Sequence, residues 1–272
     1  MMLRVLLMLL ALGWAAGAEA KPRRVVSLNL CTDQLVMQLA DRGSIAAVTY
    51  LAADPASSAM ARQARGLRTT RGTAEDVIAL KPDLILAGPY STRETVGLLR
   101  RLGHEVIEFA PAGSLSDIRA SVLRMGDVLG EQARARAAVS RFDRRVAQLT
   151  RRGGVRPLFA DYGPNGFTSG EGTILAELAT RAGFRPLGSR LGVQGMRQLP
   201  LEQLVLARPA LIDLGDRAEA PALANELYRH PALRRLTQGG HAIRIPSSLT
   251  SCGTLRTLDA LEMLAAARDR LG

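Results

Sequence analysis

Few residues in this chain could carry out chemistry. Three histidines, His104, His230 and His241, lie in separate segments, each beside a strand start or a helix break. None has a second histidine or a carboxylate at metal-ligand spacing. Isolated histidines of this kind serve at surfaces or in supporting positions. Gly166-Phe167-Thr168-Ser169-Gly170 sets a serine among glycines, but without the spacing of a nucleophile elbow. Gly170-Glu171-Gly172 lacks the third glycine of a dinucleotide loop and follows its strand too late. No two acids stand out as a catalytic couple. These residues give no motif for turnover, so the chain is expected not to be an enzyme, with no intrinsic cofactor and no metal centre.

Residues suited to recognition are better represented. At the carboxyl ends of expected strands stand Asn29, Leu30, Cys31, Tyr50, Pro89, Tyr90, Asp161, Tyr162, Asn165 and Asp213. Three of the four tyrosines fall in this set, and tyrosine suits a cleft because a flat apolar body ends in one polar tip. Singly, each is an ordinary polar loop residue; together they suggest a binding edge.

The elements that must position them alternate between strand and helix. Strands are expected at Arg24 to Leu30, Ile45 to Leu51, Asp83 to Ala87 and Glu105 to Phe109. Helices are expected at Cys31 to Ala40, with Asp33 or Thr32 as cap, Thr73 to Leu80 and Thr92 to Leu102. Ala52 to Gly72 reads as loop with a short helix at most. Beyond Gly153-Gly154 strands are expected at Pro157 to Tyr162, Ala210 to Leu214 and Ala242 to Ile245. Helices there are Gly172 to Arg181, Leu199 to Ala207, Asn225 to Leu236 interrupted by Pro231, and Thr254 to Leu271. This alternation implies parallel sheets covered on both faces, with ligands bound beyond the carboxyl ends of the strands.

Between the two runs lies Ser114 to Arg152. Ile118, Val122, Met125, Leu129, Val139, Phe142, Val146 and Leu149 recur at helical spacing, and arginines surround that narrow stripe. Ser114 and Asp117 form a capping-box-like start, and Gly130 divides the run into two helices. Glu131 to Arg151 would reach about 32 Å. So polar a helix typically bridges two domains. The expected fold is α/β, with two Rossmann-like lobes joined by a long bridging helix and a ligand cleft between them. Its divisions are a targeting segment at 1–20, an N-terminal lobe at 21–113, the bridge at 114–153 and a C-terminal lobe at 154–272.

An internal repeat supports two lobes. EDVIALKPDLILAG, from Glu75, aligns without gaps to EQLVLARPALIDLG, from Glu202, 127 residues later. Each copy is a helix with an acid near its start, a cation at its end, a proline that forbids continuation, and a buried strand. Glu75 and Glu202 are either stabilising charges or a matched docking pair, one acid per lobe.

Residues 1–20 read as a cleaved export signal: Arg4, an apolar run from Val5 to Leu12, and Ala18-Glu19-Ala20 as a small-x-small site. The run is too short to span a bilayer. Net charge is +11, nearly all from arginine, since Lys21 and Lys81 are the only lysines. The arginines are scattered and aromatics make up only 4% of residues, which argues against nucleic-acid binding. In an oxidising compartment Cys31 and Cys252 permit one disulfide.

SLNLCTDQLVMQLA after the signal, AEDVIALKPDLILAG, HPALRRL and the terminal LDALEMLA helix resemble the type III periplasmic substrate-binding proteins of ABC importers. These are the iron-siderophore, haem and cobalamin group. The resemblance implies a periplasmic, monomeric receptor that delivers a cobalt- or iron-containing chelate to a permease dimer in the inner membrane. A corrinoid or ferric siderophore is favoured over haem. It implies that Glu75 and Glu202 dock on permease arginines. It also implies a cleft lined by Asn29, Leu30, Cys31, Thr32, Tyr50, Pro89, Tyr90, Asp161, Tyr162, Ser251 and Cys252, and little closure on ligand. Cobalamin receptors of this group often carry pocket tryptophans, whereas the only tryptophan here, Trp14, lies in the signal segment. Cys31 and Cys252 remain open to a disulfide, to two buried thiols, or to contact with a ligand. The competing expectations are an exported metallochaperone or enzyme on the same two-lobed scaffold, and an exported adhesion protein that binds no small molecule.

Overall fold

The computed structural model describes residues 21–215 and 223–272; the expected signal segment, 1–20, lies outside them. The first half contains β1 (Val25–Ser27), α1 (Leu30–Leu39), β2 (Ile45–Thr49), α2 (Ala61–Ala64), β3 (Thr69–Thr70), α3 (Ala74–Ala79), β4 (Leu84–Ala87), α4 (Arg93–Arg101) and β5 (Val106–Glu108). Two helices follow, α5 (Leu115–Val128) and α6 (Gln132–Leu149). The second half contains β6 (Leu158–Asp161), β7 (Phe167–Ser169), α7 (Ile174–Arg181), β8 (Arg185–Pro186), α8 (Leu187–Arg190), β9 (Met196–Gln198), α9 (Leu201–Ala207), β10 (Leu211–Asp213), α10 (Pro231–Leu236), β11 (Ala242–Ile243) and α11 (Thr257–Arg270).

The N-terminal sheet has the order β3-β2-β1-β4-β5 and the second sheet β11-β10-β6-β8. Every pairing within both is parallel. Each lobe's first strand is therefore flanked by its next parallel strand and by the strand of the sequence repeat, β4 or β10. The repeat is also a repeat of backbone. Lys81 and Arg208 both close their helices in the left-handed region, at φ 48°. The following prolines, Pro82 and Pro209, disfavour the right-handed helical region at the preceding residue.

Successive residues of the strands point to opposite faces. Val25, Leu84, Leu86, Phe159 and Leu211 join one core that runs through both lobes and takes in α5, α6 and α11. The alternate residues Val26 and Ile85 join a separate outer cluster of the first lobe, and Leu158, Ala160 and Ile212 one of the second. Both faces of each sheet are covered, as the uninterrupted apolar strand sequences require.

The bridge is a hairpin. Ser114 caps α5 by accepting the Asp117 amide at 3.1 Å, and Gly130 turns the chain at φ 66°. The helices then run antiparallel, with the Arg119 guanidinium paired to Asp143 and lying 5.7 Å from the Phe142 ring. At α6, Arg134 reaches Asp41 at 2.8 Å and the Leu39 carbonyl in the first lobe. Arg145 and Arg151 reach Glu262 and Asp269 on α11 in the second, at 2.7 and 3.0 Å. Its buried stripe is Ala135, Ala138, Phe142 and Val146. Gly126 permits the close approach, because a Cβ there would sit 2.3 Å from that of Ala135. Gly126→Val should force the hairpin apart and cost about 3 kcal/mol, read as a lower denaturation midpoint with unchanged secondary structure by circular dichroism.

Three expectations need correction. The cap of α1 is Asn29, whose side chain accepts the Cys31 amide; Asp33 is buried and Thr32 bonds within the turn. Ala52 to Gly72 holds, besides the short helix that was allowed for, the strand β3, which extends the first sheet. Finally, β7 pairs antiparallel with β9 in a small two-stranded sheet where only a loop was expected.

Candidate functional site

The lobes meet along a seam. Cys31, at the start of α1, is joined by a disulfide to Cys252, with Cα atoms 4.9 Å apart. Beside it Gly253 packs against Ala112, where a Cβ on the glycine would come 2.7 Å from the alanine Cβ, and Gly113 packs against the Gly172 carbonyl. Glu177 on α7 accepts the Leu115 amide of α5 at 2.8 Å. Cys31, Ala112, Gly113, Cys252 and Gly253 lie in segments that leave the carboxyl ends of β1, β5 and β11, so the carboxyl ends of both sheets converge on the seam, the usual ligand edge of parallel α/β sheets.

Around this floor the first lobe presents Tyr50 after β2 and Tyr90 after β4, 58% and 85% exposed. Since β2 and β4 flank β1, the two tyrosines follow the strands on either side of it. Pro89 is exposed, Leu30 and Cys31 are half-buried, and Ser251 is exposed beside the buried Cys252. Asn29 lies against Gly88, whose missing Cβ would stand 2.9 Å from the Asn29 amide nitrogen.

Two expected cleft residues turn inward. Thr32 is fully buried and bonds Ser27 Oγ and the Asn29 carbonyl. Tyr162 is 1% exposed, in the outer core of the second lobe. Its hydroxyl is raised in pKa first by burial and then by the charge of Glu202. The Asp161 carboxylate is engaged, accepting the Ser169 amide at 2.8 Å and the Thr168 hydroxyl at 3.1 Å. Asp213, also expected at this edge, is buried and accepts the Gly215 and Ile245 amides.

Burial also governs Asp33. Its carboxyl accepts the Thr49 amide at 3.1 Å and the Thr49 hydroxyl at 2.5 Å, tying α1 to the end of β2. Loss of solvation outweighs these bonds and pushes its pKa from 3.8 up to about 7. The folded protein therefore holds a proton that the unfolded chain releases between about pH 4 and pH 7, and stability falls as pH rises through that window. Asp161 shifts in the same direction from the same cause. Asp33→Asn should flatten the decline by on the order of 4 kcal/mol, measured by urea titration at pH 4.5 and pH 8.

Glu75 and Glu202 are exposed in the first turns of α3 and α9, and neither forms an ion pair among the described residues. Beside Glu202 opens a groove of about 1130 Å³, walled in part by Phe167, Leu191, Met196, Arg197 and His230. Sequence reasoning missed this groove, because the pairing of β7 with β9 leaves no local signature. It also missed the seam glycines Gly113 and Gly172. Among the described residues no cluster of histidine, cysteine or acid side chains is placed to hold a metal, and no helix is long and apolar enough to cross a membrane.

The family model described as "Periplasmic binding protein" matches residues 25–248. The chain belongs to the periplasmic binding protein family. A "Cobalamin-binding protein" of Halobacterium salinarum is 26% identical over an alignment of 218 residues, with 77% of this chain and 59% of that protein covered. The chain thus spans less than two thirds of the length of the curated relative it matches. Among solved structures, a periplasmic binding protein from Veillonella parvula aligns over 92% of both chains with a TM-score of 0.75 at 18% identity. The periplasmic vitamin B12 binding protein of Vibrio cholerae aligns over 92% of this chain and 98% of its own, with a TM-score of 0.68 at 18% identity. A periplasmic heme-binding protein from Roseiflexus aligns over 90% of this chain and 97% of its own, with a TM-score of 0.72 at 20% identity. These likenesses establish the two-lobe fold.

Proposed function

We propose that this chain is the periplasmic receptor of an ABC importer and captures a metal chelate, a corrinoid foremost, in the seam between its lobes. The observation that carries this reading is the pair of exposed tyrosines, Tyr50 and Tyr90, which follow the two strands flanking β1, the strand whose own turn is covalently tied to the other lobe. Exposed aromatic faces beside a polar floor suit a broad planar macrocycle with polar edges. Asn29 and Ser251 offer polar contacts, and Pro89 a rigid apolar one. The cobalamin-binding relative favours a corrinoid. A ferric siderophore fits the same seam, and the tyrosine phenols give haem a weaker case as iron ligands. Export through residues 1–20 would bring the receptor to the periplasm, and Glu75 with Glu202 would present it to the permease.

Calorimetry against cyanocobalamin, a panel of ferric siderophores and hemin tests the cargo. Cyanocobalamin is expected to bind at micromolar Kd or tighter, and Tyr90→Ala to weaken it about tenfold. Hemin binding that shifts the Soret band and is lost with the tyrosines would reassign the cargo to haem. Absence of heat with every chelate would end the receptor reading.

A further inference from the structure

The two lobes are unequal around their acids. β1 reaches α1 over two residues, whereas twelve separate β6 from α7. Those twelve include β7, which the Asp161 carboxylate holds through Ser169 and Thr168 and which pairs with β9. This insertion builds the groove of about 1130 Å³ that includes Glu202 in its wall. Met196 is 64% exposed there, and Leu191 and Phe167 are exposed as well. Leu206, four residues after Glu202 and so on the same helical face, is 81% exposed.

The repeat allows comparison position by position. Leu206 corresponds to Ala79 in the first lobe, where the large apolar side chain exposed near Glu75 is Ile78, at 39%. Large apolar side chains gathered in water beside one acid contribute nothing to the core and mark an interaction surface. The polar groups around them are also available. Arg197 is exposed and forms no ion pair among the described residues. His230 is exposed, with Nδ1 accepting the Ala232 amide, which leaves Nε2 to carry the proton.

We propose that this groove is a second docking element, seating an apolar side chain from a periplasmic segment of the ABC permease. That segment would present an arginine to Glu202 and an acid to Arg197. The occupant follows from the groove's continuity with Glu202 and from the alternation of charge and apolar surface along its wall. It rests on the docking role given to Glu202 above. A permease made of two like subunits would meet one lobe through an acid alone and the other through an acid and a groove.

The test uses the full mature protein, inner-membrane vesicles from the source organism, and the photo-cross-linking residue p-benzoylphenylalanine in place of Met196. The control carries it in place of Arg141, on the exposed side of α6. Irradiation is expected to join the Met196 derivative, and not the Arg141 derivative, to a membrane-spanning subunit of an ABC transporter identified by mass spectrometry. Met196→Glu with Leu191→Glu, both in the groove wall, is expected to weaken sedimentation with vesicles at least tenfold while calorimetric binding of cyanocobalamin or hemin is unchanged. Loss of sedimentation in Glu202→Arg without loss in the groove variant would overturn the groove and leave the acid's role standing. Unchanged sedimentation in Glu202→Arg would overturn the docking reading on which the groove depends. Weakened chelate binding with undiminished sedimentation in the groove variant would assign the groove to cargo instead.

Discussion

Reversing both acids, Glu75→Arg together with Glu202→Arg, is expected to abolish import while the purified protein still holds its cargo. Both carboxylates project from the first turns of short helices that end in the same left-handed cation and proline. They are exposed and unpaired among the described residues, so the fold loses only the helix-terminus attraction, about 0.5 kcal/mol at each site. A charge pair at an interface is another matter. Replacing an attraction with a repulsion at two points, at about 2 kcal/mol each, weakens docking by roughly a thousandfold. Uptake of radiolabelled cyanocobalamin in cells expressing the variant, alongside calorimetry on the same protein, reads both quantities. Normal uptake by the double variant would mean that these acids are only helix-start charges.

Cys31→Ser combined with Cys252→Ser carries the largest expected effect on stability. The cysteines are 221 residues apart in sequence, and closing so long a loop restricts the unfolded chain by about 5 kcal/mol in the chain-entropy account. For a chain of this size that corresponds to a melting temperature lower by on the order of 10 °C. The native arrangement should survive, because the shared core and the clasps of Arg134, Arg145 and Arg151 hold the lobes independently. Thermal melts with and without reductant, paired with thiol labelling of the native protein, test this. Two labelled thiols in unreduced protein would refute the bond itself.

Much of the fold was legible because local signals and burial agree. The strand of the repeat at Leu84 to Ala87, the helix stop at Lys81-Pro82, the cap at Ser114 and the break at Gly130 are each determined by residues within a few positions. The site was less legible. Thr32 has the polarity of a cleft residue but is spent inside the β1–α1 turn, and Tyr162 has the look of a binding aromatic yet lies in a core. Nothing in one dimension distinguishes a tyrosine that faces water, such as Tyr90, from one whose ring is packed under a turn. The β7–β9 pair escaped for a related reason. Its strands are three residues each and 26 residues separate their ends, so neither alternation nor a tight turn marks them. Asp33 and Thr32 are both residue types that favour a helix cap, but the Asp33 carboxyl serves the end of β2 instead.

The continuous hydrophobic interior beneath the seam bears on the energetics of delivery. A receptor with a soft hinge can store part of its affinity as bending and return it when the cargo leaves. Here apolar packing runs from Val25 through Phe142 to Phe159 without a gap between lobes, and a covalent link spans the top. Such a body has little elastic recoil to spend. On the proposed reading, the work of prising the chelate free would fall to the transporter, with the receptor acting as a rigid handle.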